Sequence, residues 1–195
     1  MAQTTNDAPL TISPAANTPF KFVCIDLRSI LIVPHCDMAS SSALNNFGIE
    51  RNDKVAIHSE NRPEWLIADI GIQSLGAISV GLYPTNPPAE VQYLLSHSES
   101  KILFAEDQEQ VDKALEVSKD VPNLSKIIYF EEKGLFRYES DKLMRWDDFL
   151  EIGKTEYEKD NNVVTSSIDK IKSEDVALMT VSYTHLLAHE TQFDL

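Results

Sequence analysis

Between Lys54 and Phe130 the chain repeats one pattern: a short apolar run, a polar corner, then a stretch with helical periodicity. The runs are Lys54–Ser59 (KVAIHS), Ile78–Tyr83 (ISVGLY), Lys101–Ala105 (KILFA) and Lys126–Phe130 (KIIYF). Short, continuous, β-branched runs suit strands covered on both faces, since alternation is needed only where one face meets water. Strands separated by helices return to the same edge of a sheet and run parallel, each crossover being right-handed. The expectation is an α/β fold: a mainly parallel sheet with flanking helices. Asp175–Thr180 (DVALMT) reads as a final strand, and Phe20–Val33 as one or two more.

The helices between these runs carry their own start and stop signals. Asp37–Phe47 places Ala43, Leu44 and Phe47 on one side, with Gly48 as the left-handed stop and Ile49 as its apolar contact. Asn61 is expected to cap a helix over Glu64–Leu75, with Glu64 as reciprocal partner and Pro63 in the first turn. Trp65, Leu66, Ile67, Ile70, Ile72 and Leu75 occupy nearly its whole circumference, which predicts burial. Gly76 ends it. Tyr83–Pro88 (YPTNPP) reads as a rigid connector, with Asn86 capping a helix that opens on Pro87 and Pro88 and buries Val91, Leu94 and Leu95. Asp107 and Gln110 form a second capping box for a helix through Val117. Residues 131–173 are charged and weakly patterned, with one short helix over Trp146–Ile152.

Net charge narrows the partners. At −14 the chain lacks the Lys and Arg excess that displaces counterions from nucleic acid, and anionic membrane surfaces are disfavoured for the same reason. Cys24 and Cys36 make no disulfide framework and fit a reducing compartment. His35, His58, His97, His185 and His189 form no His-Glu-x-x-His arrangement, so zinc is not expected. No run is long and apolar enough to span a bilayer. Met1–Pro19 has no Lys or Arg, which argues against a signal peptide; it reads as a disordered arm, and the cytoplasm is the expected location.

Chemical motifs are sparse. Phosphate cradles need clustered glycines so that backbone N–H groups reach the oxygens, and the six glycines here are dispersed. No Gly-x-Ser-x-Gly elbow is present. Asn61-Arg62-Pro63-Glu64-Trp65 reads as a capped helix start with an aromatic anchor; the alternative puts Arg62 beside an anionic ligand or a domain interface. Tyr83–Pro87 reads as a stiff turn, with a binding loop at a strand end as the alternative. In Trp146-Asp147-Asp148 the carboxylates read as helix caps rather than an acid/base pair. His58 and His97 read as ordinary core or surface residues.

The stretch from Gly48 to Asp107, above all SENRPEW and GLYPTNPPAE, together with the later DVALMT, resembles the early part of long-chain fatty acid–CoA ligases, members of the adenylate-forming, AMP-binding superfamily. The likeness runs from about Met38 to Thr180, and YPTNPP is closer to the fatty-acid branch than to the peptide-synthetase branch. The resemblance implies an enzyme that activates a long-chain fatty acid with Mg²⁺ and ATP to an acyl-adenylate and passes the acyl group to coenzyme A. Peripheral membrane association of that parent is compatible with it. In the family, the segment like Asp175–Thr180 leads into a glycine-rich loop that grips the ATP phosphates. Here Val181-Ser182-Tyr183-Thr184-His185-Leu186 follows, without glycine.

The expected organisation is therefore a disordered arm at 1–19, an atypical segment at 20–36 that fits a frameshift or misplaced start, a partial AMP-binding N-terminal domain at 37–180, and a tail at 181–195. That tail resembles a translated transposase adapter from DNA library preparation. No catalytic, cofactor-binding or metal-binding residue carries over onto this sequence. The chain by itself is expected to bind none of ATP, Mg²⁺ or coenzyme A tightly and to expose apolar surface that belongs under missing sheet. The alternatives are a non-catalytic acidic α/β binding module and another adenylating branch.

Overall fold

The four apolar runs form neighbouring parallel strands, as the alternation predicts. In this computed structural model, residues 20–23 and 36–181 are described. The arm expected at 1–19, residues 24–35 of the atypical segment and residues 182–195 of the tail lie outside them. The strands are β1 (Phe20–Val23), β2 (Lys54–His58), β3 (Ile78–Leu82), β4 (Ile102–Ala105), β5 (Lys126–Tyr129), β6 (Leu143–Arg145) and β7 (Leu178–Val181). They stand in the order β1-β7-β3-β2-β4-β5-β6. Six are mutually parallel, and β1 lies antiparallel on β7, with Phe20 opposite Val181 and Val23 opposite Leu178.

The helices are α1 (Cys36–Asn46), α2 (Pro63–Ser74), α3 (Pro88–Ser98), α4 (Gln108–Val117), α5 (Trp146–Lys159) and α6 (Asn162–Ile168). None of those described is long and apolar enough to cross a membrane. The sheet divides two apolar layers. One gathers Ala56, Val80, Leu82, Leu103 and Ile127 with Val91, Leu94 and Leu95 of α3 and Val111, Ala114 and Val117 of α4. The other gathers Val55, Ile57, Ile102, Phe104 and Ile128 with Leu44 of α1, Ala68 and Ile72 of α2, and Trp146 and Phe149 of α5. Consecutive strand residues feed opposite layers, so the sequence runs read as unbroken.

Both glycine stops form as expected. Gly48 has φ +77°, its N–H bonds to the Asn45 carbonyl at 2.9 Å, and the Ile49 N–H bonds to Leu44 at 3.0 Å. Gly76, at φ +69°, repeats this geometry with Gln73, while Ala77 bonds back to Ile72. A residue with a Cβ would be strained at either φ.

The starts differ from expectation. Arg62, not Asn61, precedes α2, and no side chain caps it. Likewise Pro87, not Asn86, precedes α3. A proline at the first helical position removes one orphan N–H and fixes φ, so the helix begins without the side-chain cap. Asp107 does cap α4, accepting from the Glu109 N–H at 2.8 Å, but Gln110 gives no reciprocal bond: its buried Oε1 has no partner. Helix α2 is buried only from Ala68 onward, apart from half-buried Ile70; Leu66 is 51% exposed and Trp65 half-buried. Within residues 131–173 the structure adds β6 and α6 and extends the short helix at Trp146 to Lys159.

Candidate active-site crevice

From β2 the chain passes through α2 to β3 on one side. From β3 it passes through α3 to β4 on the other side of β2, with α2 and α3 on opposite faces. Direction across the sheet therefore reverses between β2 and β4, and open α/β sheets hold ligands above the C-terminal strand ends at such a reversal. In this chain that place is built by Ser59–Arg62 after β2, Glu106 and Asp107 after β4, and Phe130 and Glu131 after β5.

Arg62 occupies its centre. Its Nε donates to Glu64 Oε2 at 2.8 Å, its Nη1 to Glu131 Oε1 at 3.0 Å, and Glu106 Oε1 stands 3.5 Å from the same nitrogen. The guanidinium carbon lies 5.6 Å from the Phe130 ring centre, a cation–π distance. The Glu60 N–H donates to Glu106 Oε2 at 2.7 Å. Glu64, hydrogen-bonded to Arg62, is held below the usual carboxylate range, and the same bond raises Arg62. The carboxylates around Arg62 all belong to this chain, so the capped-helix reading is replaced by an internal ion-pair network, and the alternative of an anionic ligand or domain interface is not tested by it. Replacing Arg62 with methionine leaves three carboxylates facing one another. The expected loss is on the order of 1–2 kcal/mol in urea unfolding, partly restored by added salt, because screening then relieves repulsion instead of weakening attraction.

Beside the network a cavity of about 480 Å³ is lined by Asp107, Gln108, Glu109, Asp112, Glu131 and Lys133. Four carboxylates against one ammonium repel a polyphosphate. The glycines form no phosphate cradle here, and only Gly134 adjoins the cavity, through Gln108 of its lining. Gly71 meets Ser40, Gly153 meets the Ala39 carbonyl, and Gly134 meets Gln108. Among the described residues no three His, Cys, Asp or Glu side chains converge on a metal position. The donors present at this crevice therefore do not fit Mg²⁺ with ATP.

The other residues singled out in the sequence fall at separate points. Asp147 and Asp148 lie inside the first turn of α5, where they complement the helix dipole rather than cap it; Arg145 precedes the helix and sits 3.6 Å from Asp147. His97 stacks on Tyr93 at 5.4 Å. His58 and the Tyr83–Pro87 connector do meet, at the ends of β2 and β3, with His58 Nε2 3.0 Å from the Tyr83 carbonyl. Glu106, Glu131 and Lys113 carried no local signal. Glu106 and Glu131 follow two strand runs directly, yet only the strand order places them beside Arg62. Asp69, on α2, is a buried acid held by Ser79 at 2.5 Å and Gln73 at 2.8 Å, and burial pushes its carboxyl up.

The chain is 30% identical over 138 residues to long-chain-fatty-acid–CoA ligase ACSBG2 of Xenopus laevis, covering 71% of this chain and 17% of that protein. It is 32% identical over 121 residues to the ACSBG2 of Homo sapiens, covering 62% and 18%. Against the long-chain-fatty-acid–CoA ligase FadD15 of Mycobacterium bovis it is 33% identical over 96 residues, covering 49% and 16%. The chain thus spans less than a fifth of these relatives' length. The fold matches part of the anthranilate CoA ligase AuaEII, solved with anthranoyl-AMP, at a TM-score of 0.54 and 21% identity, over 60% of this chain and 21% of that one. The model of the family described as AMP-binding enzyme matches residues 38–185; the chain belongs to that family.

Proposed function

We propose that this chain supplies the opening scaffold of a long-chain fatty acid–CoA ligase, residues 37–180 being part of its N-terminal domain. The parent would be cytoplasmic and would convert a fatty acid and ATP to acyl-adenylate and pyrophosphate, then exchange AMP for coenzyme A. A carboxylate is a poor electrophile, and adenylation gives it a leaving group. The observation that carries this reading is the similarity to long-chain ligases, 30% identity over 138 residues of this chain. The acidic, internally paired crevice supports a scaffold role, since charge on a transferring phosphate needs cationic donors rather than carboxylates. Chain-length preference would be set by residues outside the described ones.

ATP–pyrophosphate exchange with palmitate tests both halves. The 195-residue chain is expected to give no fatty-acid-dependent exchange. A longer protein that contains it is expected to exchange and to form palmitoyl-CoA. Turnover by the chain alone would refute the scaffold reading; a longer protein that activates only aryl or amino acids would refute the long-chain reading.

A further inference from the structure

His58 ends β2 and is fully buried. Its Nε2 is 3.0 Å from the Tyr83 carbonyl, which can only accept, so Nε2 carries the hydrogen and Nδ1 is bare. Nδ1 is buried and has no partner among the described residues. The same Tyr83 carbonyl accepts from the Asn86 N–H at 2.9 Å and so closes the turn. From α4, Lys113 donates to the Pro84 carbonyl at 2.8 Å and pairs with Glu109 at 2.7 Å. The turn is half-buried at Pro84 and Asn86 and exposed at Thr85 and Tyr83, the latter 61% exposed. Among the described residues, these two donors hydrogen-bond the turn to the neighbouring elements β2 and α4.

We propose that the turn Tyr83–Asn86 is an acid-released latch: His58 and Lys113 hold it shut while His58 is neutral, and protonation of His58 frees it. A second proton must go onto Nδ1, which makes no hydrogen bond in the closed turn and on which the Lys113 ammonium acts; the Tyr83 and Pro84 carbonyls favour the charged ring but do not offset its burial. Glu109 is the compensating charge, but it is exposed and already paired with Lys113. The imidazolium gains water only by leaving its site, which breaks the bond to Tyr83. Burial first, then Lys113, lowers His58 to about 4. Its ordinary value of 6.5 lies above this, so the open state takes up the proton first. The latch is fully shut above the ordinary value and weakens as pH falls from there toward 4. Because the anchored groups are backbone carbonyls of a partly exposed turn, release need not disturb the two core layers.

Amide hydrogen exchange of the whole chain, corrected for intrinsic rates, tests the proposal. Opening at the Asn86 N–H is expected to rise roughly fiftyfold between about pH 7 and pH 4.5, while amides of β4 and β5 keep their protection. In His58→Gln, whose amide can still donate to Tyr83, that pH dependence is expected to vanish. The ¹⁵N shifts of His58 in the unaltered chain give a readout that needs no variant, and are expected to report the Nε2–H tautomer at neutral pH. A flat Asn86 profile, equal loss of protection in β4 and β5, an unchanged profile in His58→Gln, or the Nδ1–H tautomer would each overturn it.

Discussion

Phe104→Ala is expected to cost about 3–5 kcal/mol of folding stability, a large share of what holds a domain of this size together. Phe104 is fully buried in the middle of β4 and stands at the centre of an aromatic group. Its ring centre lies 5.4 Å from Phe149 and 5.7 Å from Trp146, both edge-on, and 6.0 Å from Phe130. Removing it deletes apolar contacts on the sheet, on α5 and on the strand end that underlies Arg62. The surrounding strands are locked into a parallel ladder and have little room to collapse into the void. Urea unfolding should show a lower midpoint at an unchanged slope. A loss under about 1 kcal/mol would mean that the aromatic group is not packed as described.

The second large effect comes from one added methyl group. Gly153 lies within α5, where an ordinary Gly→Ala change stabilises a helix by about 1 kcal/mol. Here a Cβ would sit 1.8 Å from the Ala39 carbonyl oxygen and 2.6 Å from its carbon, both backbone atoms of α1. No rotamer relieves a clash with a backbone, so α1 and α5 must separate. The expected result is a loss of at least the 1–3 kcal/mol typical of overpacking, opposite in sign to the propensity effect. Gly81→Ala is the control, because its Cβ would meet only the Thr180 methyl at an ordinary 3.7 Å. Thermal melts of the two variants should diverge. Equal melting temperatures would show that the helices are not in contact at Gly153.

These two sites also mark where sequence reading succeeds and where it stops. Phe104 sits in a run, KILFA, whose composition alone indicates a strand covered on both faces. The same holds for β2, β3 and β5, and the glycines at Gly48 and Gly76 mark helix ends that the structure reproduces. Gly153 gave no such signal. Its helix meets α1 at Gly153 through a missing side chain, and an apolar pattern registers side chains, not their absence. That is why only the first half of α5 was legible.

Strand β6 escaped notice for a related reason. It is three residues long, half-buried to exposed, and reached from β5 by a crossover without a helix. Leu135 of that crossover is buried in the apolar layer that α3 and α4 share, and so does covering that a helix would otherwise do. The starts at Asn61 and Asn86 are misplaced because each lies two residues ahead of the proline that opens the helix, Pro63 or Pro88, and the residue between takes the cap position. For the crevice, Arg62 was visible as a conspicuous residue. Its partners Glu106 and Glu131 lie 44 and 69 positions further along the chain and meet it only through strand order, which no local pattern encodes.

The position of β7 bears on how the chain must be assembled during synthesis. Strands β2 to β6 can join the sheet in order as they leave the ribosome, each pairing with a strand already made. Strand β3 waits longer: its outer edge pairs with β7, whose Leu178 lies opposite Ser79. At usual elongation rates of roughly 5–20 residues per second, that edge stays bare for on the order of 5–20 seconds. A bare hydrophobic edge invites pairing with a neighbouring nascent chain, so crowding of ribosomes on one message should lower the yield of folded protein more than a slow message does.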